Sequence, residues 1–484
     1  MRARTALFVF YAVVMLLLLS SCNIVHKPQV RETIFDKVVS IPKNLVLSIP
    51  KLPPLCDEIK DLKKGYANIT KGVLYYEEEG RGIPIVLING GPGGTHHVFH
   101  PYFSQLKDVA RVIYYDQRGT GKSSTDDTGH MYTVKQVVED LESLRQALKI
   151  DRWAVLGWSC GGLWAQCYAL TYPQHCTGLI LVASKTGLFE PVMNHKREQM
   201  FMSPAELDAI ENIGKLANAG RFTSDAQVIY NKWLAGDWKR SFYYKPTDEE
   251  MIRHALYGWS PAPGFEKLMR RESDKILLEG KFDDFEIPTL IIEAKWDLQW
   301  WNPNRAEVMR RNHPHAQVEV FEKSGHRIFA DEPEKFFALL KKFVEKSSKI
   351  HIVYKPGNRL TWPKPLAEWL MLYQQAIAHN SEDVELWQQL LWAFYWDERH
   401  TEKALEALWR YEMLAKTQAP KELQKYGHCI KVWRGQLLDL LGRRAEAVKC
   451  YQEVLRDFKG INDHCCDVDR KWLEERVKTP FKLD

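Results

Sequence analysis

The sequence predicts an α/β chain: a mostly parallel sheet with helices on both faces, a helical cap inserted late in it, and an all-α region after it. Three observations carry this expectation. Short apolar runs alternate with amphipathic stretches from residue 66 onward; one connection, Lys185 to about Glu286, holds only helix-like segments over roughly a hundred residues; and after Val344 the strand signal disappears. Strands alternating with helices imply parallel pairing covered on both sides. A connection so much longer than the usual loop reads as a cap.

The N-terminus reads as an export signal. Arg2 and Arg4 precede an unbroken apolar run from Ala6 to Leu19, which at 14 residues is short for a membrane span and suits a signal-peptide core. It ends in Leu19, Ser20, Ser21, Cys22, which resembles the lipobox of bacterial lipoproteins; that resemblance implies cleavage after residue 21, lipidation of Cys22 and anchorage at a membrane. Residues 23 to about 60, with Pro28, Pro42, Pro50, Pro53 and Pro54, read as a partly extended tether.

Strand-like runs follow at 72–80, 83–90, 110–116, 152–158, 178–184, 288–294 and 317–321, with a helix-length stretch at 134–150 between two of them. The cap shows helical segments at 204–219 and 247–258. The folded unit spans 66–346, and residues 363–480 contain about six amphipathic segments. In one of their pairs, Gly435, Leu438, Gly442, Ala447, Tyr451 and Leu455 fall where a tetratricopeptide repeat places its packing residues, with Trp387, Leu391, Ala404 and Leu408 as looser matches. Such units bury their apolar faces only by stacking, which points to a packing or partner-binding role.

Composition excludes several classes. With 67 Lys plus Arg against 62 Asp plus Glu, the net charge of +5 over 484 residues is too balanced for a nucleic-acid binder working through massed basic charge. A hydrophobic fraction of 45% excludes a disordered polyelectrolyte. Nine cysteines without a CxxC pair give neither a disulfide-stapled scaffold nor a zinc ribbon.

The chemistry centres on Gly157, Trp158, Ser159, Cys160, Gly161, a GxSxG with a strand running in and a helix running out. A sharp strand-to-helix turn lifts a serine hydroxyl off the backbone, and only glycine-sized neighbours allow it. A serine needs a base, and the base an acid to orient it. Asp297 lies just past one late strand and His326 just past the next, giving the order Ser159, Asp297, His326. Asp283, Asp284 and Glu293 are the fallback acids. The loop NGGPGG, Asn89 to Gly94, lets backbone N–H groups approach a substrate carbonyl closely, and the N–H groups of Gly91 and Cys160 are the expected oxyanion donors.

NGGPGG, YYDQRGTGKSS (114–124) and GWSCGGLWAQCYALTYP (157–173), with Asp297 and SGH (324–326), resemble the proline iminopeptidase (prolyl aminopeptidase) branch of the α/β-hydrolases over about residues 66–346. The resemblance implies a serine peptidase without metal or other cofactor that releases an N-terminal residue, often proline, beneath a helical cap. It places Asp116, Gln117 and Arg118 in a buried polar turn beside the site floor. Two positions depart from it: Asn89 stands where the branch commonly has His, and Cys160 where it commonly has an aromatic residue. An aminopeptidase needs a handle on a protonated amine, so one or two cap acids, among them Glu190, Glu206, Glu211, Asp248, Glu249, Glu250, Glu266 and Glu272, are expected to face Ser159.

Other motifs are set aside. GTGKSS at 119–124 fails as a phosphate loop because its first glycine position is Asp116. His96, His97 and His100 have no carboxylate or cysteine near them in sequence, so no metal is expected. Trp296, Trp300 and Trp301 flank the acid as pocket or packing residues. Two rival functions stand beside the aminopeptidase: an esterase or lactonase using the same triad, and a membrane-anchored scaffold with an inert hydrolase domain.

Overall fold

A computed structural model describes residues 31–36, 44–188, 198–299, 304–350, 366–395, 400–457 and 470–482. Eight strands form one sheet: β1 (Lys63–Ile69), β2 (Gly72–Gly80), β3 (Ile83–Ile88), β4 (Ala110–Tyr115), β5 (Trp153–Trp158), β6 (Cys176–Val182), β7 (Thr289–Ala294) and β8 (Gln317–Phe321). Their order is β1-β2-β4-β3-β5-β6-β7-β8. The pairs β1/β2 and β2/β4 are antiparallel and all others parallel. Seven strands match the expected runs. The eighth, β1, carries no clear apolar alternation because only Ala67 is buried in it. Lys63 and Lys64 on this edge discourage pairing with another chain.

The central strands are buried on both faces, which is why they read as continuous apolar runs. Period-2 alternation splits them between two cores. Val86, Ile88, Val155, Leu179, Leu181 and Ile291 face the helices Val134–Ala147 and Cys160–Thr171. Ile85, Leu87, Leu156, Ile180, Val182 and Ile292 face a layer that includes Phe99, Phe103, Phe329, Phe336 and Phe337. Helix Val134–Ala147 starts where Thr133 Oγ1 accepts the Gln136 N–H at 3.1 Å, and it buries Val134, Val137, Val138, Leu141 and Leu144 at helical spacing.

The cap lies between β6 and β7, with helices Glu198–Phe201, Pro204–Asn218, Asp225–Leu234, Asp248–Tyr257 and Phe265–Asp274. Two begin with capping boxes, Ser203 with Glu206 and Thr247 with Glu250. The described parts of the stretch read as a tether are strapped onto this cap. Ile34 N–H donates to Tyr243 O at 2.9 Å, and Lys245 N–H to Glu32 O at 2.8 Å. Asn231 grips the Val46 peptide with both amide atoms, at 2.8 and 2.9 Å. Tyr257 and Arg253 hold the carbonyls of Leu52 and Pro53, and Arg253 also pairs with Glu58 at 3.0 Å. Cys22 lies outside the described residues.

The C-terminal region is all-α, with helices Leu366–Ala378, Val384–Tyr395, Thr401–Gln418, Pro420–Leu440, Arg444–Asp457 and Arg470–Lys478. Among the described residues its two apolar clusters draw only on this C-terminal region. Gly442, at φ +72°, turns the chain between the fourth and fifth helices, and a Cβ at Gly435 would come 2.5 Å from the Tyr451 ring. Leu438, Ala447 and Tyr451 are buried, as are Trp387, Leu391, Ala404 and Leu408.

Candidate active site

Ser159 sits between β5 and helix Cys160–Thr171 with φ 58° and ψ −128°. A non-glycine residue held there stores about 1–3 kcal/mol, and the surroundings enforce it. A Cβ at Gly157 would lie 2.4 Å from Gly161 O, one at Gly161 2.4 Å from both Ile88 O and Asn89 O, and one at Gly162 1.9 Å from Ser184 Oγ. The Ser159 peptide is fixed by its N–H to Val182 O at 3.0 Å and by Lys185 N–H to its carbonyl at 2.9 Å. The elbow is therefore built by three glycines that no side chain could replace.

Asp297 and His326 follow β7 and β8. His326 Nδ1 lies 2.8 Å from Asp297 Oδ2, both side chains are buried, and the Gln299 N–H donates to Asp297 Oδ1 at 2.9 Å. The indole of Trp158, the residue before Ser159, donates to His326 O at 2.9 Å, and its ring lies 5.1 Å from the imidazole. The structure thus brings Ser159, Asp297 and His326 to one end of the sheet. Glu293, a fallback acid, is inside β7 and held by Arg305 Nε at 3.1 Å; Asp283 and Asp284 are exposed.

The glycine loop runs directly beside the serine. A Cβ at Gly90, a position that sequence reading did not single out, would come 2.5 Å from Ser159 Cβ. Gly91 has φ +129°, and among the described residues its N–H donates no hydrogen bond. Cys160 is the first helical residue, so its N–H has no intrahelical acceptor. Asn89 braces the loop by donating to Gly94 O at 2.8 Å, and Gln117 donates to Asn89 O at 3.0 Å. Arg118 grips Asp140 at 2.8 and 2.9 Å, and Asp116 takes both the N–H and the ring of His96, so the buried polar turn has formed. The Cys160 thiol is buried toward Ser273, and burial raises its pKa. Trp296 packs on Phe35 and Phe201, while Trp300 and Trp301 lie outside the described residues.

Two further residues hold the histidine loop. Asp331 accepts the N–H groups of Gly325, Tyr243 and Tyr244 at 2.9, 2.8 and 3.0 Å, which ties the loop before His326 to the cap; burial pushes its pKa up to about 7. Arg327 lies 5.4, 5.8 and 5.2 Å from the rings of Trp158, Trp233 and Phe242, and burial lowers its pKa to about 10. Its guanidinium donates to His254 Nδ1 at 2.9 Å, and burial together with this charge drives the His254 pKa well down.

Six of the eight cap acids are engaged with other groups. Glu206 is buried against Lys239 at 3.0 Å, and Glu211, Glu249, Glu266 and Glu272 pair with Lys215, Arg253, Arg270 and Lys275. Glu250 takes the Tyr102 hydroxyl, Asp248 is exposed, and Glu190 lies outside the described residues. The fold also overturns the ground on which metal binding was set aside. Glu77, Asp116 and Cys56, all distant in sequence, gather around His96, His97 and His100.

Residues 83–333 match the family described as the alpha/beta hydrolase fold, which is more than half of the chain. The chain belongs to the α/β-hydrolase family. Over 301 residues this hydrolase is 26% identical to the proline iminopeptidase of Saccharolobus solfataricus, covering 60% of this chain and 96% of that one. It is 28% identical over 316 residues to that of Clostridium botulinum, covering 59% and 99%. Among solved structures, an esterase from Exiguobacterium antarcticum is 24% identical with a TM-score of 0.45, covering 58% of this chain and 98% of its own. The relatives are matched along nearly their whole length, and the family match at residues 83–333 takes in β3 to β8, the elbow and the cap, with the C-terminal helices beyond it.

Proposed function

We propose that this hydrolase is a serine aminopeptidase of the prolyl aminopeptidase type. The observation that carries the reading is the strained Ser159 at the end of β5 together with the His326–Asp297 pair, at 2.8 Å, that follows β7 and β8. Ser159 Oγ attacks the substrate carbonyl while His326 Nε2 takes its proton. Asp297 accepts from Nδ1–H, which fixes the tautomer and stabilises the imidazolium that forms. The N–H groups of Gly91 and Cys160, at the start of a helix, meet the developing oxyanion. His326 returns the proton to the leaving amine, and water then releases the acyl group by the same steps reversed.

The peptidase assignment draws on the two iminopeptidase relatives. An esterase or lactonase with the same machinery is the second reading, favoured by the engagement of the cap acids with cations and caps. The C-terminal helices, tetratricopeptide-like in the pair 420–457, are assigned a partner-binding role. Lipidation at Cys22 and export are part of the proposal; the disulfide at Cys429 supports an oxidising compartment.

Fluorophosphonate labelling of Ser159, followed by kinetics on free and N-acetylated aminoacyl amides, tests the reading. A site that recognises the charged amine should lose at least about 10²-fold in kcat/KM on acetylation. Equal rates, or preference for simple esters, select the esterase.

A further inference from the structure

The strap ends in the short helix Leu55–Glu58, which carries Cys56. His96 and His97 sit in the single turn that follows the glycine loop, and Glu77 points in from β2. The donor atoms of Cys56, His96 and His97 all lie within 4.8 Å of one another, as do those of Glu77, His96 and His100. Cys56 Sγ is 3.4 Å from His97 Nε2, and His96 Nε2 is 3.1 Å from Glu77 Oε1. In a tetrahedral zinc site, bonds of about 2.3 Å to sulfur and about 2.0 Å to nitrogen or oxygen put S and N donors roughly 3.5 Å apart and N and O donors roughly 3.3 Å apart. The Cys56–His97 spacing is that of two ligands on one ion, and His96 completes a triad whose donor atoms all lie within 4.8 Å of one another.

The ring orientations agree. His96 Nδ1 is engaged by Asp116 Oδ1 at 2.7 Å, which leaves Nε2 as the atom turned into the cluster. A carboxylate behind a ligating histidine is the usual outer partner in metal sites. His97 Nδ1 lies 3.3 Å from Thr95 Oγ1, so its Nε2 likewise faces Cys56. His96 is fully buried, and its Nε2 meets the Glu77 carboxylate at 3.1 Å without hydrogen-bond alignment. Glu77 already accepts the Tyr75 hydroxyl on Oε1 and His100 Nε2 on Oε2. A cation on Nε2 replaces the proton that this nitrogen otherwise carries between Asp116 and Glu77.

We propose that Cys56, His96 and His97 bind one divalent cation of the zinc class, with the fourth position left to water. One thiolate and two neutral imidazoles make a donor set that suits Zn²⁺ or Co²⁺ and not Mg²⁺ or Ca²⁺. The Cys56 thiol gives its proton to solvent on binding. The ion clips the strap, through Cys56, to the two residues that follow the glycine loop. It is a structural clasp outside the Ser159 chemistry.

The test is Zn²⁺ and Co²⁺ uptake by the untagged full chain after equilibration and gel filtration. The expected result is one ion per chain, with a thiolate-to-cobalt absorption in the near ultraviolet. Cys56→Ser should abolish that absorption, and Cys56→Ser and His97→Gln should each weaken uptake by at least about tenfold. Because His97 is only part-buried, His97→Gln decides the matter if Cys56→Ser does not fold. A wild-type chain that takes up neither metal overturns the proposal and leaves His96 as an imidazolium between Asp116 and Glu77. Uptake unchanged in either folded variant overturns it equally.

Discussion

Ser159 and His326 act as one unit if the proposed chemistry holds, so their effects should not add. Ser159→Ala and His326→Ala are each expected to lower kcat by about 10³-fold or more, and the double variant by little further; single-turnover kinetics on an aminoacyl amide measure this. Two buried groups behind the histidine make stability depend on pH in opposite directions. His254 is neutral because burial and Arg327 hold its pKa far below the unfolded value near 6.5. Its contribution is therefore complete above about 6.5 and is lost as pH falls below that. Asp331 is raised from 3.8 to about 7, so its contribution is present below 3.8 and fades as pH climbs through 7. In melting curves from pH 4 to 8, His254→Gln should flatten the acid-side loss and Asp331→Asn the loss toward neutrality. Unaltered slopes would contradict both assignments.

At the scale of elements, close approach is enforced by glycine at two places of different kind. Gly90→Ala would drive a methyl into Ser159 and Trp158 O, at 2.5 and 2.9 Å, so activity should fall by at least about 10²-fold with little change in secondary structure by circular dichroism. Gly435→Ala puts a methyl against the Tyr451 ring and should destabilise the C-terminal helices by about 1–3 kcal/mol while turnover at Ser159 is unchanged; urea unfolding followed alongside activity separates the two. The sequence made the elbow readable because glycines stand two positions before and after the serine. β1 was not readable, since an edge strand with one buried residue leaves no periodic trace.

For the whole molecule, the strap is the feature with consequences. Asn231 holds the Val46 peptide from both sides, so Asn231→Ala should expose residues 44–52 to limited proteolysis while leaving the sheet intact. If Cys22 carries lipid, Cys22→Ala should release the chain from membranes or stop its processing, as read by fractionation; a 14-residue apolar run is too short to anchor by itself. Among the described residues no helix is long and apolar enough to cross a membrane. With residues 31–36 bonded to the cap, an anchor at Cys22 would keep the cap within reach of the membrane surface, since the intervening chain spans at most about 3.5 Å per residue.

The sequence by itself determined seven of the eight strands, the place of the cap, the helical C-terminus and the order Ser159, Asp297, His326. Each of these is written in local pattern: period, a glycine beside a serine, an acid or histidine at a strand end. Only the tertiary structure decided that Glu77, Asp116 and Cys56 meet His96 and His97, that Gly90 lies against Ser159, that the strap is bound, and that six of the cap acids are engaged elsewhere. Those contacts join residues tens to hundreds of positions apart. A side chain's partner across such separations is set by strand order and register, and these are properties of the packed sheet that no local window contains.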